Sequence, residues 1–170
     1  IAREYFDIEL AAFTKAIASA PDILFVTSAG NSNSDATFVE AYPAGVVAPN
    51  MISVGAVDKA GDEASFTSYG PTVAVHANGY QVESLIPGGE TLAESGTSMS
   101  SPQVANLAAK ILAVNPKLKP AEVIARLASE LGCDLIVMGT HGRSGLAGLV
   151  IGSVASRVLH LAECPVMLVK

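Results

Sequence analysis

Apolar positions along this chain follow two rhythms, and each predicts a different element. Between Glu4 and Ala18 the apolar residues Ile8, Ala11, Ala12, Ala16 and Ile17 recur near helical spacing, with Pro21 just beyond. That spacing predicts a helix over 4–18. Ile23–Val26, Met51–Val57 and Leu135–Met138 are instead short, continuous apolar runs punctuated by glycine. A strand with one wet face alternates, whereas a strand buried on both faces does not. These runs therefore predict strands of a parallel sheet covered on both sides.

The remaining elements follow from the same patterns and their stop signals. Strands are expected over 23–28, 51–57 and 72–76, separated by a long loop at 32–50 that is rich in Ser, Asn, Ala and Pro, and by a connection at 58–71. A hairpin is expected around Pro87-Gly88-Gly89. Thr97 opens a helix to Val114. Pro102 lies in its first turn, where a missing N–H is harmless, and Pro116 closes it. A second helix starts at Pro120 and runs to Gly132. A strand at 134–138, a helix at 146–161 and a strand at 166–169 complete the chain. Helix, strand, helix, strand is the rhythm of a parallel α/β sheet.

Composition narrows the function. Half of the 170 residues are apolar, 15% are charged, and the net charge is −6 with no basic cluster. A patch able to neutralise nucleic-acid phosphates is missing, so nucleic acid is not an expected partner. No apolar run approaches the ~20 residues that span a bilayer. There is no basic amphipathic stretch to hold a membrane surface, and no signal peptide or initiator Met. The expectation is a trimmed or processed chain that is soluble and cytoplasmic on expression. Cys133 and Cys164 are too few for a disulfide framework and are expected as reduced thiols. No metal-ligand pattern stands out.

The sharpest chemical signal is Ser95-Gly-Thr-Ser-Met-Ser-Ser-Pro102. Small residues crowd Ser98 at the opening of an apolar helix, where its hydroxyl can be exposed and the helix dipole favours developing negative charge. An N-cap would also use Ser or Thr there, but would not need Gly96, Met99 and Pro102 as well. The run resembles the nucleophile motif of the subtilases, the subtilisin-like serine proteases. Ser28-Ala-Gly-Asn31, Met51-Ile-Ser-Val-Gly-Ala-Val, Phe66-Thr-Ser-Tyr-Gly and Val104-Ala-Asn-Leu-Ala extend the likeness over about residues 1–126. The resemblance implies Ser98 at the nucleophile position and Asn31 as the oxyanion donor. It also implies that the family's catalytic Asp and His precede Asn31, in a region this chain begins too late to hold. A Ser without a neighbouring base is a weak nucleophile, so no proteolysis is expected. Gly139-Thr-His141 looks like the family's His motif, but it follows the Ser and continues differently, so His141 is not assigned to a triad.

A second motif begins at Cys133. Cys133-Asp-Leu-Ile-Val-Met-Gly-Thr-His-Gly-Arg-Ser-Gly-Leu, Ile151-Gly-Ser-Val-Ala-Ser-Arg-Val-Leu and Cys164-Pro-Val-Met-Leu-Val-Lys resemble the C-terminal portion of universal stress proteins. Glycines after a strand let backbone N–H groups approach phosphate oxygens, and the next helix start adds its dipole. The same glycines also suit a plain strand-to-helix turn. The resemblance implies a partial ATP or phosphate site at Gly139, Gly142, Arg143, Gly152 and Ser153, without the strands that hold adenine and ribose.

Together these readings describe one chimeric α/β domain, with a subtilase part over 1–126 and a universal-stress-protein part over 127–170. The subtilase part would leave the edge of strand 23–28 bare, inviting self-association. Docking strand 134–139 there, with 166–169 outside it, gives a five-stranded parallel sheet of order 3-2-1-4-5. This arrangement is Rossmann-like or flavodoxin-like, with helices on both faces. Ligands bind at such a switch point, so Asn31, Ser98 and Gly139–Gly142 would share one cleft. The leading functional expectation is an engineered scaffold without evolved activity and with no required cofactor. A weak ATP- or phosphate-binding module and a residual serine esterase are the alternatives.

Overall fold

A computed structural model describes residues 2–36, 42–46, 48, 50–70, 72–139 and 153–169. Helix α1 spans Ala2–Ala18, and strand β1, Phe25–Ser28, follows. β2 (Met51–Val57) pairs with β1 in parallel, and β3 (Val75–Asn78) pairs in parallel with β2. β4 (Val82–Leu85) and β5 (Thr91–Glu94) form the expected antiparallel hairpin. Helices α2 (Thr97–Val114) and α3 (Pro120–Glu130) come next. β6 (Ile136–Gly139), α4 (Ser153–Leu161) and β7 (Val166–Val169) close the chain, with β6 and β7 parallel. The third strand begins later than its apolar pattern suggests. Val73 N–H is turned back onto Gly70 O, and paired strand starts only at Val75.

The core lies where α2 and α3 cover one face of the three-stranded sheet. Ile52 and Val54 of β2 pack on Val104 and Ala108 of α2 and on Val123 and Leu127 of α3. On the other face Leu10 and Ile17 of α1 pack with Val46, against Phe25 and Met51. Asn50, 2% exposed, joins these layers. Its Nδ2 donates to the carbonyls of Ile17, Ala20 and Ile23 at 3.2, 2.9 and 2.9 Å. One amide thus ends α1, shapes the turn and sets the start of β1. Asn50→Ala should cost about 1–3 kcal/mol in urea denaturation, because buried carbonyls lose their donor. A loss below about 0.5 kcal/mol would show that water replaces the amide.

The expected continuous order 3-2-1-4-5 is not formed. The described strands make a β1-β2-β3 sheet, while β6 pairs with β7 in a separate two-stranded sheet. The reason lies in α3, which buries two adjacent stripes. Val123 and Leu127 face the first sheet and α2. Ala121 and Ala128 face Ile136 of β6 and Val158 of α4. The chain leaving α3 therefore folds back on that helix's second stripe and does not travel to the edge of β1. Among the described residues β1 pairs with β2 alone.

Ionic contacts line the same helix. The Lys119 N–H donates to Glu122 Oε2 at 2.7 Å, Arg157 of α4 donates to Glu122 Oε1 at 2.8 Å, and Lys119 Nζ meets Asp22 at 2.7 Å. The Lys119 backbone donor, and then Arg157, hold the Glu122 carboxyl below the ordinary carboxylate range. A carboxylate lowered on folding contributes stability above its unfolded pKa, about 4.3, and loses it as pH falls through the lower folded value. Glu122→Gln should therefore flatten the acid limb of the stability profile below about pH 4.3 and lower neutral stability by the same modest amount, since Arg157 is 60% exposed although Glu122 is only 21%. An unchanged acid limb would contradict this assignment.

Candidate functional site

The site in the first sheet is built where β1 ends and α2 begins. After Ser28 the chain reaches Gly30, whose φ of +106° is left-handed backbone that a side chain would strain. That turn aims Asn31 at the start of α2. There Asn31 Oδ1 accepts two hydrogen bonds, from Thr97 N–H and from Thr97 Oγ1, each at 2.9 Å. Thr97 Oγ1 in turn accepts the Gly30 N–H at 3.1 Å. Thr97 is 1% exposed, so this exchange is sheltered from water. With its carbonyl oxygen committed twice, the Asn31 amide presents Nδ2 as its outward donor. Nδ2 lies 3.2 Å from where a side chain on Gly96 would begin, so the glycine leaves it room.

Ser98 follows as the second residue of α2 and is exposed. The helix has no side-chain cap of its own at Gly96, and Asn31 supplies that cap from the loop after β1. Behind Ser98 the chain is tightly held. Gly96 N–H donates to Gly79 O at 2.8 Å, and Gln103 Nε2 donates to Asn78 O at 2.6 Å. A side chain at Gly79 would collide with Ser100 Oγ and come within 2.8 Å of Gly96 O, so the end of β3 and the start of α2 touch backbone to backbone. Ser100 is fully buried, and its hydroxyl has no hydrogen-bond partner among the described residues.

An amide donor and a helix N-terminus beside an exposed hydroxyl can stabilise negative charge on a bound oxygen. What this geometry lacks among the described residues is a base. Ser98 has no hydrogen bond there to an imidazole or a carboxylate. The His76 ring lies over Gly55, on the sheet face turned away from α2. His160 Nδ1 sits 2.7 Å from Ser156 O on α4. His141 lies outside the described residues. The structure thus brings Asn31 to the helix that carries Ser98. It adds Thr97, whose role as the clamp between them sequence reasoning missed. The signal was in view: Thr97 stands between Gly96 and Ser98 in the same motif.

The second predicted site is only partly in view. Gly139 ends β6, and Ser153 is the first residue of α4. Gly142, Arg143 and Gly152 lie outside the described residues. Because β6 is not beside β1, the cleft expected to be shared by Asn31, Ser98 and Gly139–Gly142 has no switch point to form it. The two motifs stand on different sheets.

Comparison with known proteins agrees with this division. The profile of the subtilase family matches residues 6–142. This chain belongs to the subtilase family. The profile of the universal stress protein family matches residues 117–170, so the chain joins parts of two families. The two matches overlap on α3 and β6, and α3 is the helix that packs on both sheets. Subtilisin from Bacillus pumilus is 42% identical over 116 residues, which are 68% of this chain and 41% of that protein. Subtilisin E from Bacillus subtilis is 41% identical over 116 residues, 68% of this chain and 29% of that protein. Alkaline protease 1 from Emericella nidulans is 34% identical over 139 residues, 79% of this chain and 33% of that protein. Among solved structures, a cold adapted subtilisin-like serine proteinase superposes with a TM-score of 0.62 at 34% identity. The match covers 67% of this chain and 41% of that one. This subtilase chain therefore spans well under half the length of these relatives.

Cys133 and Cys164 are free thiols. No helix among the described residues is long and apolar enough to cross a membrane.

Proposed function

We propose that this chain is an engineered chimeric scaffold, a subtilase part joined to a universal-stress-protein part, without evolved catalytic activity. The observation that supports this reading is the imbalance at Ser98. The oxyanion side is pre-ordered by the Asn31–Thr97 clamp, while no base reaches the hydroxyl among the described residues. Catalysis by such a site is limited to what binding and the oxyanion donors supply. No cofactor is required in this reading, and neither nucleic acid nor membrane is a partner. The edge of β1, unpaired among the described residues, makes a second copy of the chain the natural partner at high concentration.

The match of residues 117–170 to universal stress proteins favours a second reading, weak ATP or phosphate binding at Gly139, Gly142, Arg143, Gly152 and Ser153. A residual esterase using Ser98 and Asn31 is the third. Titration with ATP and turnover of an activated ester, each repeated on Gly142→Val and Ser98→Ala, separate them. The scaffold reading expects ATP dissociation constants of about 1 mM or weaker, since phosphate contacts alone must offset ordering costs. It also expects ester turnover that Ser98→Ala does not change. Micromolar ATP binding lost in Gly142→Val would establish the binding module. Turnover lost in Ser98→Ala would establish the esterase.

A further inference from the structure

Cys133 and Cys164 lie 31 positions apart in the chain, yet the fold brings them to the same end of the β6–β7 pair. Cys133 leaves α3 just after Gly132, and its N–H donates to Ala128 O at 2.9 Å, which fixes where it stands. Cys164 precedes Pro165, whose carbonyl accepts the Ile136 N–H at 2.9 Å, and Val166 is the register partner of Ile136. Counting back two residues along both segments sets Cys164 opposite Asp134, the neighbour of Cys133. Adjacent strands run about 4.8 Å apart and rise about 3.3 Å per residue, so Cys133, one step back from that position, is set roughly 6 Å from Cys164 along the diagonal, inside the roughly 4.4–6.8 Å Cα window that a disulfide spans. Both thiols are half-buried, both pack on the Ala121–Ala128–Ile136–Val158 cluster, and both line one cleft of about 200 Å³ with Ser129, Gly132 and Glu163.

We propose that Cys133 and Cys164 are a modification site that forms a reversible intramolecular disulfide with a peroxide-class oxidant, tying the end of α3 to the entry of β7. Burial, followed by the negative charges that Cys164 and Asp134 can carry, pushes the Cys133 thiol above its ordinary range. Cys133 therefore holds its proton more firmly than an exposed cysteine and attacks less readily, because the thiolate is the attacking form. In the first step the Cys164 sulfur attacks hydrogen peroxide. An S–O bond forms, the O–O bond breaks, and hydroxide leaves as water with the thiol proton. The Cys133 sulfur then attacks the sulfenic sulfur. The S–S bond forms, the S–O bond breaks, and the second hydroxide leaves as water with the second proton. Two thiols and one peroxide give one disulfide and two waters: the sulfurs are oxidised and the peroxide oxygens reduced.

The test is peroxide treatment of the full chain. Titratable thiols in the unfolded protein should fall from two to none, and the mass should drop by two hydrogens. A Cys133–Cys164 peptide should appear on mapping, and the thermal midpoint should rise by about 5 °C or more. Dithiothreitol should reverse every change. Cys133→Ser and Cys164→Ser should each abolish the rise. If either variant fails to fold, the peptide map and the reversal on the unaltered chain decide alone. Two thiols that survive treatment, a mass gain from added oxygen, or cross-links between chains would each overturn the proposal.

Discussion

Ser98 should react with a serine-directed fluorophosphonate no faster than an ordinary exposed serine, within a few-fold. The hydroxyl is exposed at the start of α2 and the reagent can reach it. Access is not the barrier. A neutral hydroxyl attacks phosphorus slowly unless a base removes its proton as the bond forms, and among the described residues no imidazole or carboxylate bonds to Ser98. Peptide turnover should be roughly 10⁶-fold below that of a complete triad, the loss known for subtilisin itself when its triad is removed. Any residual ester turnover should depend on Asn31. Replacing it with Leu should lower such turnover about 10²–10³-fold, the size typical of removing one oxyanion-hole donor. Stoichiometric labelling within minutes would reverse the conclusion and make His141 the first residue to mutate.

Leu127→Ala should destabilise the whole chain by about 2–4 kcal/mol, the range for emptying a packed leucine site. Leu127 is 5% exposed and packs with Val123 on the Ile52–Val54–Val104–Ala108 cluster. Its helix also presents Ala121 and Ala128 to β6 and α4. Loosening one stripe of α3 should therefore weaken both sheets in one urea transition, monitored by tyrosine fluorescence and far-ultraviolet circular dichroism together. Arg126→Ala on the exposed side of the same helix should change stability by less than about 0.5 kcal/mol. Two separate transitions, with Leu127→Ala shifting only one, would show that α3 does not couple the sheets.

How much of this was legible beforehand differs by element. Met51–Val57 reads as a buried strand because Ser53 is its only polar residue and it shows no regular alternation, and that is where β2 lies. Thr97–Val114 reads as a helix from its spacing and from Pro102 in the first turn, and α2 has those bounds. The same short motif points to Ser98, Gly96 and, through Ser28-Ala-Gly-Asn31, to Asn31. Thr97 was overlooked because its work is done by a hydroxyl meeting residues 66 and 67 positions away. No local pattern announces a partner that distant.

By itself, the sequence determined the type and near-order of the elements and the two family parts. These are local properties of spacing, turn residues and short motifs. Only the tertiary structure decided how the sheets divide. An open strand edge at β1 argues for docking β6 there, and right-handed crossover permits it. Yet α3 carries buried residues on two stripes, at Val123 and Leu127 and at Ala121 and Ala128. The apolar pattern shows that both stripes are buried but not what buries each. Folding β6 and α4 back onto the nearer stripe covers it after a short connection, so β6 does not reach the β1 edge and the two motifs stay on separate sheets.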